Sequence, residues 1–567
     1  MESRTILAAA AAFMCVAGAS SSNARDLIYE WYTVANNGDL IPETTKTFNS
    51  YNQPAVNGDG MVVFRARSKG GEGQGPGAAQ PARGIYLRDL GESGPIMTVF
   101  KRGGMVPEPV NLDEAQGKQP GFNEFPSIPR IDSGSDTIAT RGQSTPVWGY
   151  TDSNGLEART GTAGVYVNPR GVPTTAASMV GDVMQDGVLA FPYFQVPVHG
   201  DVAPGTGFDQ FPGSPAVTER KTIVFKGNFS SGGRGRTGIF YRDVLAARGR
   251  APVELIAASG YTDIPGCEPV GEAQCKFGST APPSAGGKYV VFVGYDNEAT
   301  PTVGGIYRAH LGRKPIRLET VVKIGDPVPG ETDPNATFKA FSEAVSVTSN
   351  GRVVLFWGTW GDEQVPVELA CASDGNKQRR AYCLEQAAGD PDFNRKSVPL
   401  HQGFFVRDMQ LGRTAVIAKT GGEFRDFIYW NFSGRVPGMP GEGDDIEEPA
   451  RWRTATFGAV SGNGVPSVSA IKARSVDGED GIYLRDVLPS NVGDLFTLLK
   501  TGMPGAAVDP ETPAGAPITS VGIERDGFRG DWLAVTLAMG VEGDSEEDAG
   551  WAGTYAARFI DEEPVTP

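Results

Sequence analysis

Arg83 to Leu90 reads R-G-I-Y-L-R-D-L, and the phrase returns six more times. It is A-G-V-Y-V-N-P-R at Ala163 to Arg170 and T-G-I-F-Y-R-D-V at Thr237 to Val244. Gly304 to Leu311, Gln402 to Met409, Asp480 to Val487 and Ala552 to Phe559 supply the rest. Each copy is a glycine followed by β-branched and aromatic residues, usually closed by Arg-Asp. That is the composition of a strand ending in a turn. The signature glycines are Gly84, Gly164, Gly238, Gly305, Gly403, Gly481 and Gly553, separated by 80, 74, 67, 98, 78 and 72 residues. A period of that size suits a four-stranded blade with generous loops.

The rest of the unit reads outward from the signature. Before it stands a strand such as Gly60 to Arg67 (G-M-V-V-F-R-A-R), echoed at Thr222 to Asn228, Tyr289 to Tyr295 and Arg352 to Gly358. After it comes a third strand running into a turn, as in Thr98 to Pro107 and Thr320 to Gly330. A fourth follows an F-x-x-F pair, at Phe122/Phe125, Phe208/Phe211 and Phe338/Phe341. Numbered from the centre outward, the expected order is the V-V-F strand, the signature, the third strand and the F-x-x-F strand. The C-terminus supplies only the first two, Trp532 to Met539 and Gly553 to Phe559, while Thr33 to Phe48 reads like Val322 to Phe338. One blade is therefore expected to draw on both termini, which closes the ring and leaves no open sheet edge. The expectation is an all-β chain: a seven-bladed β-propeller of four-stranded antiparallel blades, one domain over residues 25–567, with blade insertions at 361–402 and 421–454.

The pattern N-G-x-x-V-V-F, G-I-Y, V-x-x-G-D-x-x-P-G, F-x-x-F resembles exported bacterial proteins built from N-x-x-G-x-x-A-F tandem repeats. Asn57-Gly58, Asn350-Gly351 and Asn463-Gly464 carry the start of the motif, while Glu219-Arg220 and Ala285-Gly286 depart from it. The resemblance covers nearly the whole chain after residue 24. It implies a propeller-like fold and export, and it brings no catalytic residues.

Residues 1–24 read as a cleaved signal peptide. Arg4 precedes an alanine-rich apolar run from Ile6 to Ala19, with Ala17-Gly-Ala19 or Ser22-Asn-Ala24 as cleavage sites. No later stretch reaches the roughly 18 apolar residues of a spanning helix. The expectation is a secreted or periplasmic protein. Four cysteines remain, Cys267 and Cys275 eight apart and Cys371 and Cys383 twelve apart. An even count in an oxidising compartment predicts two local disulfides. The alternative, a four-cysteine metal site, lacks C-x-x-C spacing. The 76 glycines and 42 prolines fit a fold full of turns. A net charge of −16 disfavours nucleic acid or an anionic membrane as partner.

Antiparallel order puts the first-to-second and third-to-fourth loops at one end of the ring. The long insertions fall there, and elaborated loops on a rigid scaffold commonly carry binding. Three clusters on that face are candidates, each with a plainer reading beside it. Arg65, Arg67, Arg141, Lys226, Lys472 and Arg474 share one strand end, and would draw a carboxylate or sulfate or form salt bridges between blades. Trp357, Trp360, Phe424, Phe427, Tyr429, Trp430, Phe432 and Trp452 suit stacking on sugar faces, or packing of a long loop onto its blade. The acidic runs Glu442 to Glu448 and Glu542 to Asp548, with Asp152 to Glu157, suit calcium or are solvated loops. No other cofactor is expected and no metal ligand set is assigned.

No G-x-S-x-G, H-E-x-x-H or phosphate-binding glycine loop occurs. The three histidines, His199, His310 and His401, come from different blades, which argues against a shared metal. Two functions follow, with a protein-interaction scaffold as a third. One is a non-catalytic propeller that binds a glycan or another ligand outside the cytoplasm. The other is a lyase on a uronate-containing polysaccharide, in which the basic strand ends neutralise the carboxylate and Tyr295, Tyr193 or His199 takes the proton.

Overall fold

The computed structural model describes residues 28–69, 81–108, 120–144, 148–151, 157–160, 163–179, 194–246, 251–268, 275–372, 377–438, 449–462, 466–540 and 550–560. The expected signal segment, Tyr193, all three acidic runs except Glu157, and Asn463-Gly464 lie outside the described residues.

Seven antiparallel sheets of four strands each form the molecule. In six of them the innermost strand runs in two pieces. The inner pieces Ala55–Val56, Arg130–Ile131, Ala216–Thr218, Ser284–Gly286, Ser346–Val347, Gly458–Val460 and Phe528–Arg529 touch in that sequence, and the last touches the first. This is a closed ring around one axis, a seven-bladed β-propeller.

The radial order differs from expectation. The F-x-x-F strand is innermost and belongs to the blade that follows it. In the second blade Phe122–Glu124 pairs with Ile138–Ser144, which pairs with Ala163–Val167, which pairs with Thr174–Ser178. A tandem repeat has no intrinsic start, so its phase has to come from packing. Phe122 meets the ring of Tyr166 edge-on at 4.9 Å, and Phe208 meets Phe240 at 5.0 Å. Between each such pair lies a second-strand glycine. A Cβ on Gly142 would stand 2.7 Å from Phe122, and one on Gly227 2.6 Å from Phe208.

The closing blade is also divided differently. Three of its strands are C-terminal: the innermost (Ile518–Gly522 with Phe528–Arg529), Trp532–Met539 and Trp551–Ile560. The N-terminus adds one strand, Ile28–Asn36, on the outside. Phe48–Tyr51 is not part of that blade but the innermost strand of the first.

The signature glycine has a steric cause. The neighbouring outermost strand bulges beside it, between Ile85 and Tyr86, Val165 and Tyr166, or Ile306 and Tyr307. The bulge turns a carbonyl toward the glycine. A Cβ at Gly84 would lie 2.5 Å from the Phe100 oxygen, and one at Gly305 2.2 Å from that of Val322. Such distances exclude any side chain, while the aromatic residue two places on fills the core.

Both cysteine pairs are joined, Cys267–Cys275 and Cys371–Cys383. The insertion at 361–402 lengthens the second and third strands of the fifth blade, with Gln364 to Glu368 pairing against Pro399 to Arg395. It also carries a helix the sequence reading did not expect, Lys377–Gly389, tied by Cys383 to the chain before it. The helix is built of good helix formers and ends at a glycine. The insertion at 421–454 lies elsewhere than expected. It interrupts the innermost strand of the sixth blade, because Phe424–Asp426 and Gly458–Val460 both pair with Ser467–Ser475. Within it Tyr429–Ser433 and Arg451–Ala455 form a hairpin.

Candidate functional site

Alternating strand directions send the loops between second and third strands, and the crossovers between blades, to one face. The opposite face carries the short turns from innermost to second strand, such as residues 57–60 and 348–352. The loop classes assigned to the elaborated face are therefore together, although the strands they join are renumbered.

A cleft of about 410 Å³ opens on that face between the closing blade, the first blade and the second. Its lining includes Arg83, Tyr86, Thr98, Lys101, Arg102 and Asn123. Arg83 begins the signature strand of the first blade. Arg102 lies opposite it, and the Arg102 amide donates to the Arg83 carbonyl at 2.9 Å. The same backbone bond recurs in every blade. In the others it joins Asn37 to Ala552, Met179 to Ala163, Ser259 to Thr237, Ile324 to Gly304, Thr420 to Gln402 and Thr501 to Asp480. Arginine stands at these two positions in the first blade alone. Seven otherwise equivalent frames thus place a pair of guanidinium groups at one cleft only.

Among the described residues, only Arg83 of the pair meets a carboxylate directly. Glu124, on the innermost strand of the second blade, is buried and forms ion pairs with Arg83 and with Arg65, the latter at 3.0 Å. Burial works to raise the Glu124 pKa, but Arg65, Arg83 and the Phe125 amide outweigh it and hold it below the ordinary carboxylate value. Arg102 is lowered, first by burial and then by the charge of Arg83, with Glu124 opposing. Its Nη2 donates to Asn123 Oδ1 at 3.4 Å. Arg102 Nη1, Arg83 Nε and Thr98 Oγ1 are buried and have no hydrogen-bond partner among the described residues. Lys101 at the rim pairs with Glu43. The cleft therefore offers unspent N–H and O–H donors under net positive charge, the chemistry of a carboxylate or sulfate carried by a polar ligand.

Of the residues singled out in the sequence, only Arg65 reaches this cluster, through Glu124. Register makes Arg65, Arg141, Lys226 and Lys472 equivalent, since each faces the residue after a signature glycine. They sit on second strands, set back from the axis, and do not converge. Arg67 and Arg141 are half-buried and engaged in other contacts. Lys226 is half-buried and no ion pair to it occurs among the described residues. Lys472 and Arg474 share Asp480, at 3.5 and 2.7 Å. The Lys472 ammonium lies 4.3 Å from the centre of the Tyr429 ring.

The aromatic candidates mainly pack. Trp357 and Trp360 are buried; Trp357 Nε1 donates to Gln402 Oε1 at 3.2 Å, and Trp360 stacks on His401. Phe424, Phe427 and Phe432 are buried, and Trp430 packs on the same core as Phe427. Trp452 meets Phe432 at 5.3 Å and Phe393 at 6.3 Å, so the two insertions form one small core. Tyr295 holds its hydroxyl between the Phe341 carbonyl and amide, at 2.9 and 2.7 Å, and burial raises its pKa. His199 is exposed and sits edge-on to Tyr261.

Sequence reasoning passed over Arg83, Thr98 and Arg102. The signal was present in the repeat. Thr98 to Pro107 carries K-R-G-G where Thr320 to Gly330 carries K-I-G-D, so the first unit gains a cation and loses an acid.

No family model matches the chain, and no curated protein is similar to it in sequence. Among solved structures it resembles the polysaccharide lyase Uly1 at 10% identity and TM-score 0.34, covering 92% of this chain and 94% of that one. It resembles the Hadza microbial sialidase Hz136 at 12% identity and TM-score 0.26, over 59% of this chain and 61% of the sialidase. A Mycobacterium tuberculosis puromycin-hydrolyzing peptidase matches at 10% identity and TM-score 0.29, over 90% of this chain and 62% of the peptidase. The chain thus spans about three fifths of the sialidase and of the peptidase. Likenesses this distant carry no argument about activity.

Proposed function

We propose that this is an exported propeller that binds an acidic saccharide without cleaving it, in the cleft of Arg83, Thr98 and Arg102. One observation carries the reading: the two arginines are the sole basic departure at two positions that the fold repeats seven times. Structure alone is served in the other blades by apolar, neutral polar or acidic residues, from Ala163 and Ile324 to Thr420, Gln402 and Asp480. Two neighbouring cations with unspent donors call for an anionic partner, and the hydroxyl of Thr98 suits a sugar better than a bare ion. The two disulfides fit a protein that works in an oxidising compartment. No helix among the described residues is long and apolar enough to cross a membrane.

Binding is favoured over elimination because the cleft offers a poor base. Its phenol, Tyr86, is buried and its pKa is raised by that burial, and among the described residues no histidine lines the cleft. Calorimetric titration with uronate oligosaccharides and neutral oligosaccharides of equal length tests the proposal. Acidic ligands are expected to bind, and Arg102→Ala to weaken them by about tenfold or more. Equal binding of neutral sugars, or unchanged affinity in Arg102→Ala, would overturn it. A rise in ultraviolet absorbance during incubation with a polyuronate would report a new carbon–carbon double bond and turn the reading to a lyase.

A further inference from the structure

On the axis, far from the cleft in chemistry and in sequence, the closing blade does something no other blade does. Where the innermost strand breaks, the first, second and fourth blades carry proline, in Asn52-Gln-Pro54, Pro126-Ser-Ile-Pro129 and Ala281-Pro-Pro283, and the fifth carries Ser342-Glu-Ala-Val345. The closing blade carries Glu524-Arg-Asp-Gly527 between Ile518–Gly522 and Phe528–Arg529. This segment reaches across the axial channel. The Val56 amide donates to the Asp526 carbonyl at 3.0 Å, and the Ser346 hydroxyl to the Arg525 carbonyl at 2.6 Å. Arg525 Nη2 donates to the Ser214 carbonyl at 3.3 Å, and Arg529 Nη1 to the Val460 carbonyl at 3.2 Å. Arg130 Nη2 donates to Glu524 Oε1 at 2.5 Å. This loop, with Arg529 just after it, thus ties the inner edges of the first, second, third, fifth and sixth blades to the seventh, and closes the channel.

The charges in this plug do not balance. Arg130, Arg525 and Arg529 face Glu524 and Asp526, and none of the five is more than 6% exposed. Arg529 and Arg130 both use Asp526, the latter at 3.4 Å, while Arg525 Nε is 3.9 Å from Glu524. Asp132, the next buried carboxylate along the strand of Arg130, accepts from Ser135, Gly134 and the Arg220 amide instead. Glu343 acts on Arg525 but is exposed, where solvent screens it. One positive charge is left over in a site closed to water. Matching that surplus, Arg130 Nε is buried with no hydrogen-bond partner among the described residues, and Arg130 Nη1 and Arg525 Nε reach Asp526 and Glu524 only at 3.4 and 3.9 Å, without hydrogen-bond geometry. An uncompensated buried charge is costly, and orphaned guanidinium N–H groups add to the cost.

We infer that the plug is an anion site: one small monovalent anion of halide type is held on the propeller axis between Arg130 and Arg525. The surplus of one fixes the valence, and the burial fixes the size. Bulky anions are excluded, so this site is distinct from the saccharide cleft.

Crystals of the whole protein soaked in bromide test this by anomalous diffraction. The expected result is a peak within hydrogen-bond reach of Arg130 Nε or Nη1 and of Arg525 Nε. In solution, replacing gluconate by chloride at fixed ionic strength, from 1 to 100 mM, should raise the unfolding midpoint by about 2 °C or more. Arg525→Met should abolish that dependence, and Glu524→Gln, which enlarges the surplus, should steepen it. If Arg525→Met does not fold, the Glu524→Gln slope and the bromide map decide. A water-only axis in the map, bromide on the outer surface alone, or a midpoint indifferent to chloride would each overturn the inference.

Discussion

Between the sheets, Phe122, Gly142 and Tyr166 make the same three-strand contact that Phe208, Gly227 and Phe240 make one blade around. On the axis, Glu524, Arg525 and Asp526 have no counterpart in the other six blades. The blade interior is stabilised by apolar area and close packing, divided among seven similar units. The plug concentrates five buried charges at the point where all the units meet. Damage to one interior contact should stay within its blade and its neighbours, while damage to the plug should loosen the ring as a whole.

The plug should give the larger effect. Asp526→Asn leaves three buried guanidinium groups facing one carboxylate. A loss of about 3–5 kcal/mol is expected from breaking a buried ion cluster on one side. Denaturant unfolding monitored by tryptophan fluorescence would measure it. A loss under about 1 kcal/mol would show that the axis is more hydrated than its burial suggests, and the contrast with the blades would fail.

Cys371→Ser with Cys383→Ser sharpens the contrast from the other side. The disulfide closes a twelve-residue separation in an insertion with a small core of its own. The chain-entropy estimate for such a loop is about 3 kcal/mol. The loss should appear as faster amide exchange of Lys377–Gly389 and its neighbouring hairpin, with the ring nearly unchanged. Exchange spreading through the innermost strands would make the insertion part of the ring's own cooperative unit.

Gly305→Ala tests the interior. Its Cβ would stand 2.2 Å from the Val322 carbonyl in a bulge that cannot open without breaking the pairing. A cost of about 1–3 kcal/mol is expected from overpacking. Gly134→Ala is the control: nothing lies within 4 Å of its Cβ, and it should change stability by less than about 0.5 kcal/mol. Equal effects at the two glycines would remove the steric account of the signature.

What was legible in the sequence follows the same division. Seven spaced glycines and the recurring G-I-Y phrase reveal blade number, sheet class and ring closure, because each is written seven times and no copy can mislead alone. The phase of the repeat was not legible. Whether Phe122 packs on Tyr86 or on Tyr166 depends on contacts across strands, and a cyclic pattern reads alike from any start. The unrepeated parts were harder still. Glu524-Arg-Asp-Gly527 has the composition of an exposed turn, and only the surrounding innermost strands bury it. The helix at Lys377–Gly389 has little apolar periodicity and is held by its disulfide and by the Phe432 side of the hairpin. Arg83 and Arg102 were readable only as departures from the repeat. Aligning the repeat for what recurs hides them; aligning it for what fails to recur exposes them.

The smallest expected effects separate a buried carboxylate from a half-buried one by sign. Glu124, beside the cleft, has its pKa held down by Arg65 and Arg83 against the effect of burial. Its charge therefore contributes stability above the unfolded carboxylate pKa of about 4.3, and loses it as pH falls through the lower folded value. Asp39, where the N-terminal strand closes the ring, is raised. Burial is the main cause, with the charges of Glu511 and Asp509 adding to it and the Asn36 amide and Arg88 opposing. The folded state then binds the proton more readily than the unfolded chain. Its ionisation costs stability at neutral pH, and the cost disappears as pH falls through the raised folded value. Glu124→Gln should accordingly lower the unfolding midpoint at pH 7 and converge with the parent in acid. Asp39→Asn, which keeps an acceptor for the Asn36 amide, should raise the midpoint at pH 7 and also converge in acid. Thermal unfolding of the three proteins across pH 3 to 7 reads both differences. Shifts of the same sign would mean that the cleft carboxylate is not held by its two arginines, which would weaken the case for a pre-charged binding site there more than any change at Asp39.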